Sequence, residues 1–492
     1  DNTVLLTSQE NLPTTIKLNK TGYLIENADK TYNAESSKKI VLTTYNKGLF
    51  HITGLNRAGK QAKYRGDFEI SKTNNLSFNL INIIDINLYL KGVVPNEMPV
   101  RFGLEALKAQ AIDARNYVYR PRARIYNNFD VCDSVQSQVY FGENTEQPLS
   151  NQAVDETKGL FSLYNGEVIL SLYSSTSGGY TESYENAFSD ITDNRFPART
   201  VPYLIGKPDY CLNKDLSDEV SACEFYSSKT NSFDIESPAY RWEKIWTKAE
   251  LEKTLAENLL KYSNTGFITP AYSKNNQFGE LTDIKVLKRG VSGKAMYVQI
   301  STTTGVWTIS KELVIRRVFQ NNSTILPSAN VIFQPIFDES GNISSIKAIG
   351  GGLGHGVGMS QYGAGYMAKN GYKFNDILTH YYSGISIGTL PESINLQKGE
   401  TYEKEFYAPT GRATLIVKNM PKNMDLMADI DSFKVCLFDF ASENQEIRIP
   451  LDNFLIKGGN KVKLYSSSQK IFTENALNPK TKFWIEVYGV EN

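Results

Sequence analysis

The hydrophobic positions of this 492-residue chain recur with helix and strand periods in several places, and they predict its first elements. Residues 103–120 carry an apolar stripe at alternating spacings of three and four, which predicts an amphipathic helix. Residues 76–90 are rich in Ile, Leu and Phe, which is typical of a buried strand. Shorter runs at 40–45, 49–53 and 67–70, separated by turn residues, predict a small β meander that leads into this strand.

Two patterns later in the chain predict a hairpin and a capped helix. Apolar runs at 159–163 and 168–173 flank Asn165-Gly166, a strong signal for a hairpin turn. Residues 205–325 change character, and their clearest element is a helix over 248–262. Thr247 and Glu250 are spaced as a capping box at its start. Strand-like runs follow it, at 283–287, 295–301 and 306–310.

The C-terminal part has β-type runs at 412–417, 433–440, 446–449, 461–465 and 482–487. Pro and Asn turns separate them, which predicts a small β-sandwich that serves as an accessory or docking module. The whole pattern favours an α+β fold. The predicted parts are a polar N-terminal segment at 1–60 and a core in two parts, at 61–204 and 326–392. An inserted α+β subdomain at 205–325 separates the two parts of the core, and the C-terminal β domain covers 396–492.

Composition restricts the choice of partners and compartment. Lys plus Arg equals Asp plus Glu at 53 each, so the net charge gives no support for nucleic acid or an anionic membrane as main partner. The longest apolar run is broken by Asn and Asp, and so it cannot span a bilayer. The chain starts at Asp1 without a methionine, consistent with a mature or trimmed form. Cys211 and Cys223 flank a polar loop, and a disulfide or two thiols are equally compatible with that spacing.

One carboxylate stands out, Glu97 in the stretch 89–99. Pro95 and Pro99 fix the backbone on both sides of it, which predicts a short, stiff, non-helical segment. A carboxylate held at the edge of an apolar core would have a raised pKa, which suits a general acid. On this stretch alone, a glutamate that caps the next helix or pairs with an arginine is the favoured interpretation.

Polar and glycine-rich segments supply further candidates. Residues 130–142 are dense in small polar side chains, as functional loops are. Residues 174–181 offer hydroxyls, Gly-Gly and a tyrosine, which suit a carbohydrate at least as well as a phosphate because the P-loop lysine is absent. Residues 349–365 contain eight glycines, which indicates close backbone approach to a ligand or another strand. His355 in that segment is expected to donate a hydrogen bond to substrate, and His380 to be structural.

Five segments, in this order, resemble the SpoIID/LytB family of bacterial sporulation and cell-wall proteins: Tyr89–Pro99, Leu104–Tyr117, Asp130–Gly142, Tyr173–Thr181 and Gly352–Tyr362. The resemblance covers roughly residues 60–390. It implies an extracytoplasmic lytic transglycosylase that cleaves peptidoglycan glycan strands, preferably strands stripped of stem peptides by an amidase, with Glu97 as the catalytic acid/base. The residues expected to orient sugars are Arg115, Gln138, Tyr140, Ser175, Ser177, Tyr180, His355, Gln361 and Tyr362.

The resemblance also raises the question of zinc. Some relatives bind it through cysteines near the segment matched by 130–142, whereas this chain has Cys132 but Ser137 at the usual second position. The two histidines also lack the close i,i+3 or i,i+4 spacing of familiar zinc sites. We therefore expect no metal and no other cofactor, with zinc as the less favoured alternative.

Three alternatives stay open beside the lytic transglycosylase. A hydrolase would need a second carboxylate near Glu97, and Asp133, Glu182 or Glu185 could supply it. A non-catalytic glycan-binding protein could recruit or enhance an N-acetylmuramoyl-L-alanine amidase. A purely structural module could use the C-terminal β domain as its contact surface. Arg115 likewise could face the site or be an ordinary surface arginine.

Overall fold

The computed structural model describes residues 7, 12–19, 22–35, 39–74, 77–121, 126–210, 214–393, 401–418, 426–430, 433–437, 446–465 and 482–488. The chain divides into two compact units. One contains residues 1–97 with 124–148, and the other contains residues 98–123 with 149–492. Helices make up 23% and strands 36% of the chain, in several sheets, and the predicted α+β class is confirmed.

The first unit is built mainly from short antiparallel strands. They are Thr15–Leu18, Gly22–Glu26, Thr31–Glu35, Ile40–Leu42, Phe50–Arg57, Lys60–Tyr64, Asp67–Asn74 and Ser77–Ile83. The first three form one sheet, and Phe50–Arg57 pairs with Lys60–Tyr64 as a hairpin. Strand Asp67–Asn74 lies between Ile40–Leu42 and Ser77–Ile83 in another sheet. Buried Tyr23, Ile25 and Ile70 belong to one core cluster, so two of these sheets share an apolar core.

The buried strand predicted over 76–90 is wrong as a single element. The structure has a half-exposed strand, Ser77–Ile83, and then a helix, Ile86–Lys91. Asp85 separates them, because its Oδ1 accepts the main-chain N–H of Asn87 at 2.8 Å and of Leu88 at 3.3 Å. This side-chain cap starts a helix where apolar composition alone predicts a strand.

The helix predicted over 103–120 is confirmed and spans Leu104–Tyr119 in the second unit. The α-helices described across the chain are Ile86–Lys91, Val94–Glu97, Leu104–Tyr119, Pro148–Asp155, Tyr184–Ala187, Glu219–Tyr226, Lys248–Tyr262, Glu312–Val318, Gln361–Lys369 and Phe374–Tyr381. Within the described ranges, no helix has the length and apolar character needed to cross a membrane.

The segment after residue 204 contains the predicted helix Lys248–Tyr262, with both hydrogen bonds of the Thr247–Glu250 capping box. It shares a core with a sheet ordered Ile268–Thr269, Val306–Ser310, Ala295–Thr302 and Leu281–Arg289. A second sheet, ordered Trp242–Thr247, Ile343–Gly350 and Val331–Phe337, contributes to the same core. The strands predicted in this segment are confirmed, each within two residues of its observed ends.

The predicted hairpin around Asn165-Gly166 is the start of a larger sheet. Leu160–Tyr164 pairs with Glu167–Val168, and both turn residues have positive φ. The sheet continues through Ser386–Thr389 into C-terminal strands, in the order Lys482–Val487, Ala413–Lys418 and Glu446–Pro450, with Glu392–Ser393 also on Lys482–Val487. Trp484 packs in one cluster with Phe161 and Leu163 from the hairpin.

The C-terminal strands therefore do not form a self-contained sandwich beginning at residue 396. Three of them complete the seven-stranded sheet that starts at the hairpin. The other four, Thr401–Ala408, Gly458–Tyr465, Leu426–Ile430 and Phe433–Leu437, form a sheet of their own. The run predicted at 433–440 is observed to residue 437, and its remainder lies outside the described residues.

Candidate active site

Glu97 ends a single helical turn, Val94–Glu97. The predicted non-helical segment is therefore wrong here. Pro95 is tolerated because it falls in the first turn, where its missing N–H would have no partner inside the helix. Asn96 fixes the turn, since its Nδ2 donates to the carbonyl oxygen four residues earlier and to Thr145 Oγ1, both at 2.7 Å. The backbone that carries the glutamate is held firmly in place.

The Glu97 carboxylate is held as well. Its Oε1 accepts the main-chain N–H of Val139 at 2.6 Å. Burial raises the pKa of Glu97, and the Val139 N–H partly opposes this by stabilising the charged form. Helix Leu104–Tyr119 has no side-chain cap at its N-terminus, so the interpretation of Glu97 as its cap is wrong. The predicted rise in pKa is confirmed in direction.

The neighbours of Val139 point inward and stabilise this loop. Gln138 is fully buried, and its Oε1 accepts the Tyr89 hydroxyl at 3.2 Å. Tyr140 donates to Asn82 Oδ1 at 2.8 Å, and its ring centroid lies 4.8 Å from that of Tyr89. Burial raises the pKa of the Tyr140 phenol, which keeps it a neutral donor. Both residues therefore fix the N–H that holds the Glu97 carboxylate.

In the second unit, the hydroxyl-rich segment 174–181 and the glycine-rich segment 349–365 form one substructure. Tyr173–Ser174 pairs in parallel with Met359–Ser360. The Leu353 N–H donates to the Thr176 carbonyl oxygen at 2.9 Å, and the Tyr362 N–H to the Ser175 carbonyl oxygen at 3.0 Å. Main-chain hydrogen bonds thus join two motifs that lie far apart in sequence.

Glycine is required where these backbones meet. A Cβ on Gly178, which has φ +78°, would lie 2.7 Å from backbone atoms of Gly351 and Gly352. A Cβ on Gly358, with φ +74°, would lie 2.0 Å from the carbonyl oxygen of Leu172. The sequence predicted that the glycines allow close approach either to a ligand or to another strand. At these positions they allow close approach to another segment of the chain.

The two histidines differ in their surroundings. His355 is half-buried, and its Nδ1 accepts the Val357 N–H at 3.1 Å, so the proton of the neutral ring resides on Nε2. His380 Nε2 lies 3.0 Å from Oδ1 of the fully buried Asp209. Burial raises the pKa of Asp209 to about 6, and the His380 hydrogen bond lowers it in part. This pairing fits the structural role expected of His380.

Comparison with known proteins matches residues 74–164, which include Glu97 and its Val139 partner, to the family model for a Stage II sporulation protein. An uncharacterized protein of Brachyspira hyodysenteriae is 30% identical over 312 residues, covering 63% of this chain and 68% of that protein. The chain belongs to the SpoIID/LytB family.

Two named relatives come from Bacillus subtilis. The amidase enhancer is 32% identical over 305 residues, 61% of this chain, but the match spans only 40% of the enhancer's own length. Stage II sporulation protein D is 28% identical over 328 residues, 63% of this chain and 77% of that protein. A domain of unknown function (DUF8618) matches residues 190–358, which contain the predicted inserted subdomain.

The SpoIID/LytB substrate-binding candidates in the second unit fall into two groups. Ser175, His355 and Tyr362 are partly exposed. The others are buried: Arg115, Ser177, Tyr180 and Gln361. A direct contact with substrate stays a prediction for the exposed group, whereas the buried group has internal contacts that support the site.

The buried group is fixed by identifiable contacts. Arg115 is 1% exposed and its Nη1 donates to the Leu160 carbonyl oxygen at 3.0 Å, so the surface-arginine alternative is wrong. Gln361 Nε2 donates to Gln110 Oε1 at 3.1 Å. Tyr180 packs in an apolar cluster with side chains from the helix Glu219–Tyr226, and burial raises its pKa.

Sequence reasoning missed two groups that hold candidate residues in place, one in each unit. The Val139 N–H is a backbone donor and has no sequence signal. Asp234 is fully buried and accepts hydrogen bonds from the hydroxyl-rich segment. Its position between Phe233 and Ile235, an acid between two large apolar residues, was the available sign of a buried carboxylate.

The surroundings of Cys132 do not fit zinc. Its Sγ lies 3.4 Å from the hydroxyl oxygens of Ser134 and Ser137, so hydroxyls stand where a zinc site would need thiolates or imidazoles. Those hydroxyls, with Tyr126, lower the pKa of Cys132 to about 7 against the opposing effect of burial. Over the described ranges, no group of three His, Cys, Asp or Glu side chains could hold a metal. Cys223 is a free thiol, and Cys211 lies outside the described residues.

Proposed function

We propose that this SpoIID/LytB protein is a lytic transglycosylase that cleaves peptidoglycan glycan strands with Glu97 as its only acid/base. The observation that carries the proposal is the position of Glu97 at the end of a fixed turn, half-buried, with one carboxylate oxygen bonded to the Val139 N–H. Burial raises its pKa, as a group that gives and then takes a proton requires.

In the proposed reaction, protonated Glu97 gives its proton to the oxygen that joins N-acetylmuramic acid to N-acetylglucosamine. The C1–O bond breaks and leaves an oxocarbenium-like centre at C1. The C6 hydroxyl of the same muramic residue attacks C1, and the Glu97 carboxylate takes its proton. The products are a 1,6-anhydro-muramic end and a free 4-hydroxyl, and no water is consumed.

Of the three carboxylates that a hydrolase could use, Asp133 and Glu182 have fixed partners. Asp133 pairs with Arg57, with 2.5 Å between Oδ2 and Nη2. Glu182 is 1% exposed and accepts hydrogen bonds from two main-chain N–H groups, a side-chain amide and a hydroxyl, at 2.7–3.2 Å. Glu185 is half-buried, and burial raises its pKa. The hydrogen-bonding sites of Glu182 are filled, so it is a poor base for water. This favours the lyase over the hydrolase.

A second candidate follows from the B. subtilis amidase enhancer, which this chain resembles over 305 residues. In this alternative the protein binds glycan strands without cutting them and recruits or stimulates an amidase. Both candidates place the protein outside the cytoplasm, at the cell wall, with peptidoglycan glycan strands as its partner.

Mass spectrometry of the products from peptide-free glycan strands tests the proposal. Wild type is expected to release anhydro-muramic ends, and Glu97→Gln is expected to bind strands but release none. Glu143→Gln is the matched control, because this glutamate lies in the same unit on the turn Gly142–Thr145, outside the proposed chemistry.

Each other outcome has a definite meaning. Reducing ends in place of anhydro ends would overturn the lyase and establish hydrolysis. Strand binding without cleavage by wild type, together with stimulation of a purified amidase that persists in Glu97→Gln, would establish the enhancer. Equal cleavage by wild type and Glu97→Gln would remove Glu97 from the mechanism.

A further inference from the structure

The carboxylate of Asp234 is fully buried and surrounded by hydrogen-bond donors. Its Oδ2 accepts from Thr176 Oγ1 at 2.5 Å, Ser177 Oγ at 3.0 Å and the Gly178 N–H at 2.8 Å. Three consecutive residues of the hydroxyl-rich motif therefore converge on one oxygen atom. Bonds from neutral donors to a charged acceptor are the stronger kind, especially away from water.

The same oxygen also reaches the glycine-rich motif. Ser360 Oγ lies 3.4 Å from Asp234 Oδ2 and also accepts the N–H groups of Ser177 and Gly363, each at 3.4 Å. Ser360 is the N-cap of helix Gln361–Lys369. One carboxylate thus links the loop 176–178 to the start of the helix that carries Tyr362.

A second contact fixes the loop from its other side. Asn330 Nδ2 donates to the Ser177 carbonyl oxygen at 3.2 Å, and Asn330 Oδ1 accepts from Nζ of the fully buried Lys294 at 2.6 Å. Side chains at 176 and 177 consequently face the interior, whereas Ser175, the residue before them, is partly exposed. The orientation of Ser175 depends on this inward anchoring.

We propose that Asp234 is a positioning residue for glycan binding, which holds the loop 174–178 and residues 359–362 in the one arrangement that presents Ser175, His355 and Tyr362 to the sugar. The inference rests on the proposed function. It assigns a role in substrate recognition to the segment 205–325, whose sequence contains no catalytic pattern.

The test compares Asp234→Asn with wild type on peptide-free strands. Asparagine keeps the shape and one acceptor oxygen but removes the charge, to which four donors on Oδ2 and Ser232 on Oδ1 are bonded. The expected result is a rise in KM of about tenfold, with kcat within about threefold and unchanged anhydro products. Thr176→Val, which removes one loop donor and leaves the carboxylate intact, is expected to raise KM in the same direction.

Ser232→Ala is the matched control. Ser232 donates to the other oxygen, Oδ1, at 2.7 Å and belongs to neither motif. Its loss should leave KM unchanged. A merely structural role for Asp234 would instead lower the active fraction, so that apparent kcat and the melting temperature fall while KM stays constant. That result would overturn the proposal.

Strand affinity measured in the Glu97→Gln background separates this inference from the proposed function. Glu97→Gln and the double variant with Asp234→Asn should differ about tenfold in Kd, whether or not wild type cleaves strands. No cleavage by wild type with that difference intact would reject the lyase and keep the positioning role. Cleavage by wild type with equal Kd values would do the reverse.

Discussion

Asp113, in the middle of helix Leu104–Tyr119, is expected to make the protein less stable as pH rises. The residue is fully buried, and its Oδ2 lies 2.7 Å from the Tyr382 hydroxyl, which is also 2.8 Å from the Leu172 carbonyl oxygen. A phenol has one proton and cannot donate to both oxygens. Both bonds form only if Asp113 is itself protonated. Burial raises the pKa of Asp113 to about 8, although the contact with the Tyr382 hydroxyl lowers it in part.

The sign and size of the effect follow from linkage. Between the ordinary value of 3.8 and about 8, the folded protein keeps a proton that the unfolded chain has released. The stabilising contribution of protonated Asp113 is therefore fully present below pH 3.8 and falls as pH rises through this window. It levels off above about pH 8. Each pH unit inside the window costs about 1.4 kcal/mol, which amounts to at most about 4 kcal/mol at pH 7.

Asp113→Asn removes the ionisation and keeps the shape of the neutral acid. Urea unfolding followed by tryptophan fluorescence reports on the correct unit, because all four tryptophans belong to the unit that contains Asp113. The free energies of unfolding of variant and wild type should agree near pH 4 and diverge up to pH 8, with the variant more stable.

The exposed Asp283→Asn on strand Leu281–Arg289 serves as the control and should follow wild type at every pH. Parallel stability curves for Asp113→Asn and wild type between pH 5 and 8 would refute the argument, since they would mean that Asp113 is ionised in the folded protein.

Two further predictions concern the site itself. Gly358→Ala should unfold several degrees below wild type and lose most activity, because its Cβ would lie 2.0 Å from a main-chain oxygen. Gly371→Ala is the control, because Gly371 also has positive φ but has open space around it. It tests backbone strain alone and should lower the free energy of unfolding by only about 1 kcal/mol. Val139→Pro removes the N–H that lowers the pKa of Glu97, so the limb of the pH–rate profile assigned to Glu97 should move to higher pH. Val135→Pro, in the exposed part of the same loop, should leave that limb in place.

Local signals predicted the elements of this fold well where both ends were marked. The helix 248–262 carried a capping box, and the hairpin turn at 165–166 carried Asn-Gly, so helix and turn are confirmed in position. The second arm of the hairpin, predicted over 168–173, is wrong in extent, since the observed strand is Glu167–Val168. The run 76–90 failed because apolar composition does not distinguish strand from helix, and the cap at Asp85 decided between them. The C-terminal strands were recognised individually, but no local pattern shows which sheet a strand joins.

The candidate site was predictable as far as it consists of motif residues. Glu97 was found because it is flanked by prolines in a family motif, and its raised pKa follows from burial. Whether a polar motif residue faces solvent or the interior is decided by partners remote in sequence. Ser177 turns inward to Asp234, 57 residues away, and Gln361 to Gln110, 251 residues away. Such pairings appear only once the chain is folded.

The position of strand Lys482–Val487 has a consequence for the order in which the protein is made. This strand lies inside the seven-stranded sheet, between Ser386–Thr389 and Ala413–Lys418. A nascent chain that has emerged as far as residue 393 already contains every residue proposed for catalysis and recognition, but strand Ser386–Thr389 then has an open edge. Unpaired edges invite association with other chains, and contacts so distant in sequence form late. The unit that carries the polar motifs therefore completes its sheet only when synthesis has passed residue 487, which couples the recognition surface to the far end of the chain.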